Sequence, residues 1–147
     1  MRVLFTGGGT GGHVMPIIAI VRELKNLYKG SDLQLYYLGP KNDFLGKEGL
    51  KVYPIVTGKL RRYFSLLNIT DALFSMPFGF FQSLFLLLYI KPNLVFSKGG
   101  SGSLMVSFSA RILKIPVFLH ESDSVAGLSN QKTGKFAKKI FTSFEKT

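Results

Sequence analysis

Residues 5–13 read FTGGGTGGH: five glycines, two hydroxyls and a closing imidazole. Glycines let a backbone turn tightly and approach a ligand without Cβ clashes. Gly7, Gly9 and Gly12 satisfy the G-x-G-x-x-G spacing of a dinucleotide loop, but the first acid after the following strand candidate is Asp43, too late to hold ribose hydroxyls. Gly7 and Gly12 also satisfy G-x-x-x-x-G, but His13 and Val14 stand where a P-loop needs Lys and Ser/Thr. Both motifs match only in their glycines. What remains is a phosphate seat on the free N–H groups of the helix that follows, or a tight strand–helix turn with no ligand. Thr10 could donate its hydroxyl to a ligand or satisfy the turn. His13 is placed to act as a general base, to bind phosphate or to pack structurally; an ordinary imidazole pKa of about 6.5 suits base chemistry near neutrality.

Two further clusters carry chemistry. SKGGSGS (97–103) is a second glycine loop, in which Lys98 supplies a cation, bound to an anion or solvated. HESD (120–123) gathers an imidazole, two acids and a hydroxyl. The only other histidine is the distant His13, so no metal spacing accompanies it and no metal is expected. Glu121 and Asp123 could accept from sugar hydroxyls, or Ser122, Asp123 or Ser124 could cap a helix.

The elements that must position these loops alternate. RVLFT (2–6), LQLYYLG (33–39), KVYPIV (51–56), NLVFS (93–97), PVFLH (116–120) and KIFTSF (139–144) read as strands, the third an edge strand because of Pro54. VMPIIAIVRELKNLYKG (14–30) reads as a helix with Pro16 in its first turn and Gly30 as its stop. Helices also fit NDFLGKEG (42–49), LMVSFSARILK (104–114) and AGLSNQKTGKFA (126–137). Alternating strands and helices predict an α/β, Rossmann-like, doubly wound parallel sheet. Ligands of such sheets bind at the carboxyl ends of the strands. The two glycine loops and the HESD segment leave such ends, so they should converge on one crevice.

With 147 residues and 46% hydrophobic side chains, the chain is long enough for one globular core. It has no cysteine, which excludes disulfide and thiol chemistry. The net charge of +11 favours anionic partners, but no nucleic-acid motif appears and no nucleic acid is expected. ALFSMPFGFFQSLFLLLYI (72–90) carries no charge. Pro77, Gly79, Gln82 and Ser83 interrupt it, so it is expected to form a core helix, or one lying against a membrane surface, kinked or broken near Pro77.

TGGGTGGHVMP, VFSKGGSGS and IPVFLHESDSVAGLSN, in this order and spacing, resemble the MurG family of glycosyltransferases, the family 28 type. The resemblance runs from about Arg2 to Phe144. It implies the N-terminal half of a GT-B architecture, with 1–147 as the acceptor-binding domain and a C-terminal UDP-GlcNAc-binding domain absent. The implied reaction is inverting transfer of GlcNAc from UDP-GlcNAc to an undecaprenyl-diphospho-muramoyl pentapeptide, converting lipid I to lipid II in peptidoglycan synthesis. No cofactor is implied, and the chain alone should be inactive. His13 and Glu121 become candidate catalytic residues. Gly7, Gly8, Gly9, Gly11, Gly12, Lys98, Gly99, Gly100, Ser101 and Asn130 become the acceptor site. Thr10, Gly11, Gly12 and Asp123 would meet the donor. The sequence departs from the family at Asp123, where an Asn is usual and a carboxylate cannot donate as an amide does, and at Ser101, where an aromatic is usual. Lys59, Arg61 and Arg62 beside Tyr63 and Phe64 would give reversible binding to the cytoplasmic face of the inner membrane. Two other readings stay open: a non-catalytic subunit that recruits a partner to the membrane, and a stand-alone nucleotide-binding module.

Overall fold

The structure is a computed structural model that describes residues 1–29, 32–58, 71–100 and 102–145. Ser101 and the basic segment holding Lys59, Arg61, Arg62, Tyr63 and Phe64 lie outside the described residues.

The strands are β1 (Arg2–Thr6), β2 (Gln34–Gly39), β3 (Lys51–Pro54), β4 (Leu94–Ser97), β5 (Val117–Glu121) and β6 (Lys139–Thr142). The helices are α1 (Gly11–Leu27), α2 (Asp43–Lys47), α3 (Met76–Ile90), α4 (Ser103–Ile112) and α5 (Leu128–Gly134). The sheet is parallel throughout, in the order β3-β2-β1-β4-β5-β6, with β3 at an edge as Pro54 predicts. The chain runs outward from β1 to β3, then returns to lay β4 against the other side of β1. That reversal is the switch point at which open parallel sheets leave a crevice. Register does the rest: Thr6 pairs with Ser97, and Ser97 with Leu119. Both glycine loops therefore depart side by side, with the β5 loop next to them.

Period-two alternation divides the core into two layers. Val3, Phe5, Leu35 and Tyr37 pack with Val14, Ile17, Ile18 and Val21 of α1 and with Leu45 of α2. Leu4, Tyr36, Leu38, Val95 and Val117 face the other way, against Leu87 and Ile90 of α3 and Val106 and Ala110 of α4. Truncating a buried aliphatic such as Ile17 to alanine costs about 2–5 kcal/mol, so these layers fix the strand ends that carry the loops. On the α1 face, Phe96, His120 and Phe141 with Pro16, Ala19 and Ile20 line an open apolar hollow of about 510 Å³.

Two boundaries differ from expectation, at α1 and β5, while the break near Pro77 falls where expected. Helix α1 starts at Gly11, not Val14, so Gly11, Gly12 and His13 form its first turn and Pro16 falls in the second. Thr10 is the extended N-cap, and its carbonyl accepts from the N–H groups of His13 and Val14. Strand β5 extends one residue past His120, so Glu121 belongs to the sheet and is buried. The uncharged segment breaks just before Pro77, into a π-helical turn (Asp71–Ser75) followed by α3, where a proline near the first helical position sacrifices no hydrogen bond.

Helix α3 is no core helix. Only Gly79, Ser83, Leu87 and Ile90, a single stripe, are buried, while Phe74, Phe78, Phe81, Phe85, Leu88 and Tyr89 stay exposed. Gly79 is obligatory because a Cβ there would overlap the carbonyl oxygen of Val56. By length and composition alone Leu73–Ile90 could cross a membrane; here the stripe packs on α4, where Ser109 Oγ donates to the carbonyl of Phe80 at 3.2 Å.

Candidate functional site

The first glycine loop is held rigidly at its root. The buried Tyr37 hydroxyl donates to the Gly7 carbonyl at 3.0 Å, and burial pushes the Tyr37 pKa upward, keeping it a donor. Gly7 and Gly8 are buried, whereas Gly9, Thr10, Gly11 and Gly12 are exposed. A Cβ on Gly11 or Gly12 would meet nothing within 4 Å, and neither residue has positive φ. The fold itself does not require glycine at these two positions. Their N–H groups, the first of the helix, can have no intrahelical acceptor. The result is open space above donors with no partner among the described residues, at the positive end of a helix dipole.

Gly99 and Gly100 do need to be glycine. Both lie in the left-handed region, with φ of 87° and 88°. A Cβ on Gly99 would overlap Asn130 Oδ1; one on Gly100 would lie 2.8 Å from Gly8 Cα and 2.9 Å from His13 Nε2. The two loops thus interlock, and the imidazole packs against Gly8 and Gly100. The Gly100 carbonyl accepts from Ser103 Oγ at 3.0 Å and Ser129 Oγ at 3.2 Å, which ties the loop to α4 and α5.

His13 Nδ1 is 2.8 Å from Thr10 Oγ1; in the tautomer that carries its proton on Nδ1, the ring donates to Thr10 and leaves the Nε2 lone pair available. Burial, and then the nearby Lys98 charge, lower the His13 pKa, with Asp123 and Glu121 opposing. The imidazole is therefore neutral at physiological pH, the state a base needs.

The reading of Lys98 as a solvated turn residue is overturned. Lys98 is 2% exposed, and its Nζ donates to Ser122 Oγ at 2.7 Å. No carboxylate pairs with it within ion-pair distance among the described residues. Burial lowers its pKa, while Glu121 and Asp123 raise it in part. A cation kept from water with one neutral partner retains strong unspent attraction for an anion.

Glu121 also needs correction, because its carboxylate is already occupied. Oε1 accepts from Asp123 N–H at 3.0 Å, and Oε2 from Gly127 N–H at 3.1 Å and Asn130 Nδ2 at 2.8 Å. Burial alone would raise its pKa, but the bonds from Asp123, Asn130, Gly127 and Ser122 bring it below the ordinary value. A 4% exposed carboxylate so satisfied is a poor proton acceptor and does not fit a catalytic base. The anticipated helix cap is absent too: Gly127 caps α5 without a side-chain bond, and Ser122 holds Lys98 instead. Asn130 is buried against Gly99. Asp123 is exposed, and its charge reaches both His13 and Lys98. Sequence reasoning gave no such role to Tyr37, Ser122, Ser103 or Ser129; Tyr37, Ser122 and Ser129 work through bonds to residues far along the chain, and Ser103 through a bond within its own loop.

Residues 3–142 match the family model described as the glycosyltransferase family 28 N-terminal domain. The chain belongs to that family. Family 28 relatives include the UDP-N-acetylglucosamine–N-acetylmuramyl-(pentapeptide) pyrophosphoryl-undecaprenol N-acetylglucosamine transferase of Streptococcus equi subsp. zooepidemicus, 42% identical over 98% of this chain and 40% of its own length. The same-named protein of Clostridium kluyveri is 41% identical over 97% of this chain and 40% of its own length. Among solved structures, MurG of Acinetobacter baumannii superposes with a TM-score of 0.80 at 26% identity, over 99% of this chain and 42% of that one. The chain thus spans about two fifths of the length of these family 28 proteins.

Proposed function

We propose that the chain is the acceptor-binding domain of an inverting GlcNAc transferase that uses UDP-GlcNAc and an undecaprenyl-diphospho-muramoyl pentapeptide in peptidoglycan synthesis. The observation that carries this reading is the pair Gly11 and Gly12: glycines the fold does not need, above free N–H groups, beside a buried lysine and a neutral imidazole. A diphosphate fits that seat. Gly7, Gly8, Gly9, Gly11, Gly12, Lys98, Gly99 and Gly100 surround the acceptor diphosphate, with the Lys98 ammonium as countercharge. His13 Nε2 takes the proton of the sugar 4-hydroxyl as its oxygen attacks C1 of GlcNAc from the face opposite UDP. The C1–O bond to UDP breaks, UDP leaves with the electron pair, and the anomeric centre inverts. Thr10 keeps the Nδ1 proton in place. Thr10, Gly11, Gly12 and Asp123 face the donor, which a second domain holds, as the greater length of the relatives supports.

The exposed aromatic face of α3 supports peripheral attachment to the cytoplasmic face of the membrane, which brings the lipid-linked acceptor to the loops. Val56, Leu73, Phe74, Pro77, Phe78 and Phe81 line an apolar groove of about 450 Å³ on it. Such faces bind lipid by burying apolar side chains at the headgroup boundary.

The test is to join this chain to the C-terminal part of the Streptococcus relative and follow transfer of labelled GlcNAc to the lipid-linked acceptor. Transfer is expected, with His13→Ala lowering kcat by about 100-fold or more. A fused protein that transfers no sugar, together with tight binding of NAD or ATP by the chain, would overturn the reading.

A further inference from the structure

The bonds of Glu121 lead away from proton transfer and toward the second glycine loop. Its Oε2 takes the amide N–H of Asn130, and among the described residues that is the only hydrogen bond the Asn130 side chain makes, since Oδ1 is buried without a partner. The orientation of this amide is thus set from its donor end, by the carboxylate. The other end rests on Gly99, whose Cα-H side it covers so closely that no side chain fits between. Next along α5, Ser129 pins the Gly100 carbonyl, and Gly100 abuts both Gly8 and the Nε2 side of His13. A line of direct contact therefore runs from Glu121 through Asn130 to Gly99 and Gly100, and from there to the imidazole.

Two consecutive residues in the left-handed region are a conformation that glycine permits but does not enforce, since it samples positive and negative φ about equally. The surroundings must choose, and the Asn130 side chain occupies the space that other conformations of Gly99 would need. We propose that Glu121 is a positioning residue that acts through Asn130 to hold Gly99 and Gly100 in the conformation that seats His13 and shapes the anion site. This rests on reading the glycine loops as a diphosphate site.

The chemistry explains why a carboxylate stands here. Backbone and amide donors converge on two oxygens, and only a group that accepts at both can serve them. In Glu121→Gln one oxygen becomes an NH₂ that faces N–H donors, which removes a charge-assisted bond and adds a donor–donor conflict. The same carboxylate also favours the charged form of His13 across the site.

The test uses NMR on the isotope-labelled chain with inorganic pyrophosphate as the probe. In Glu121→Gln the Asp123 and Gly127 amides should exchange faster by about tenfold or more, and pyrophosphate affinity should fall by a similar factor. The His13 titration should move to lower pH, because a charge that favoured the imidazolium is gone; a merely structural loss would not produce that shift. Asn130→Ala should leave the Asp123 and Gly127 amides as they are but shift the Gly99 and Gly100 resonances and weaken pyrophosphate binding. Pyrophosphate affinity within about twofold of the parent in both variants overturns the proposal. So does an Asn130→Ala spectrum with Gly99 and Gly100 unmoved, and that readout decides even if Glu121→Gln does not fold. Failure of the parent itself to bind pyrophosphate would sink the diphosphate reading, while the Gly99 and Gly100 shifts would still judge the role of Glu121.

Discussion

Gly12→Ala distinguishes a glycine reserved for a ligand from one required by the chain. Gly12 is the second residue of α1, it is exposed, and a methyl group there would touch nothing within 4 Å. Its φ is not positive, so alanine adopts the same backbone without strain. Alanine is better than glycine in a helix by roughly 0.5–1 kcal/mol, and a first-turn position should give the lower figure. At roughly 2–4 °C per kcal/mol for a domain of this size, the melting temperature should rise by about 1–2 °C. Binding should go the other way. A phosphate over the first turn takes a charge-assisted hydrogen bond worth about 1.5–3 kcal/mol, and the methyl group stands where that phosphate must approach. Losing one such bond weakens affinity by roughly 10- to 150-fold. Scanning calorimetry would give the melting temperature, and titration calorimetry with inorganic pyrophosphate the affinity, on parent and variant side by side. A variant that binds pyrophosphate as the parent does would refute the reasoning. So would a clear drop in melting temperature, because the glycine would then belong to the fold.

Gly99→Ala should fail for the opposite reason. Its φ of 87° and the overlap with Asn130 Oδ1 together cost about 2–5 kcal/mol, a loss of roughly 5–15 °C in a thermal melt; an unchanged melt would contradict the close packing. By NMR, His13 should titrate below the ordinary value of about 6.5, and Lys98→Met should move the midpoint upward by removing a repelling charge while burial remains. Because the folded pKa is depressed, the unfolded chain binds the proton first, so stability should fall as pH drops through about 6.5 and be unaffected by this group above it. The Lys98 pKa is depressed too. Stability should therefore rise with pH across the window between its folded pKa and the ordinary lysine value of about 10.4, a slope that Lys98→Met abolishes along with pyrophosphate binding. Phe78→Glu with Phe81→Glu should reduce co-sedimentation with vesicles of anionic phospholipid and leave the melt unchanged, since these rings are 62% and 66% exposed; equal sedimentation would remove α3 from the membrane contact.

Much of this was legible in the chain. The six strands, their alternation with helices, the edge position forced by Pro54 and the break at Pro77 all follow from local pattern, because periodicity and proline act over a few residues. The glycine loops, Thr10 and His13 were also visible as candidates, but the bond between Thr10 and His13 came from the structure. Three points did not come through. Pattern alone placed the start of α1 too late, because Gly11 and Gly12 have low helix propensity and only the Thr10 cap shows that they are helical. An uncharged run looks alike whether buried or exposed, so the single buried stripe of α3 had to come from its packing on α4. Glu121 read as an acceptor for sugar hydroxyls and, through the family resemblance, as a catalytic candidate, whereas its partners at Gly127 and Asn130 lie on the next loop and helix.

By itself the sequence determined the chemistry on offer: which loops can approach a phosphate, where an imidazole stands, and that no thiol takes part. The tertiary structure decided what each group does. Lys98 is a cation that sheet and loops keep from water, with Ser122 its one hydrogen-bonding partner among the described residues. The His13 pKa is lowered because burial between the packed loops, and then the Lys98 charge, make its charged form costly. These are effects of burial and of charges brought close across 24 or more residues of chain, and electrostatics depends on distance in space, which residue order does not specify.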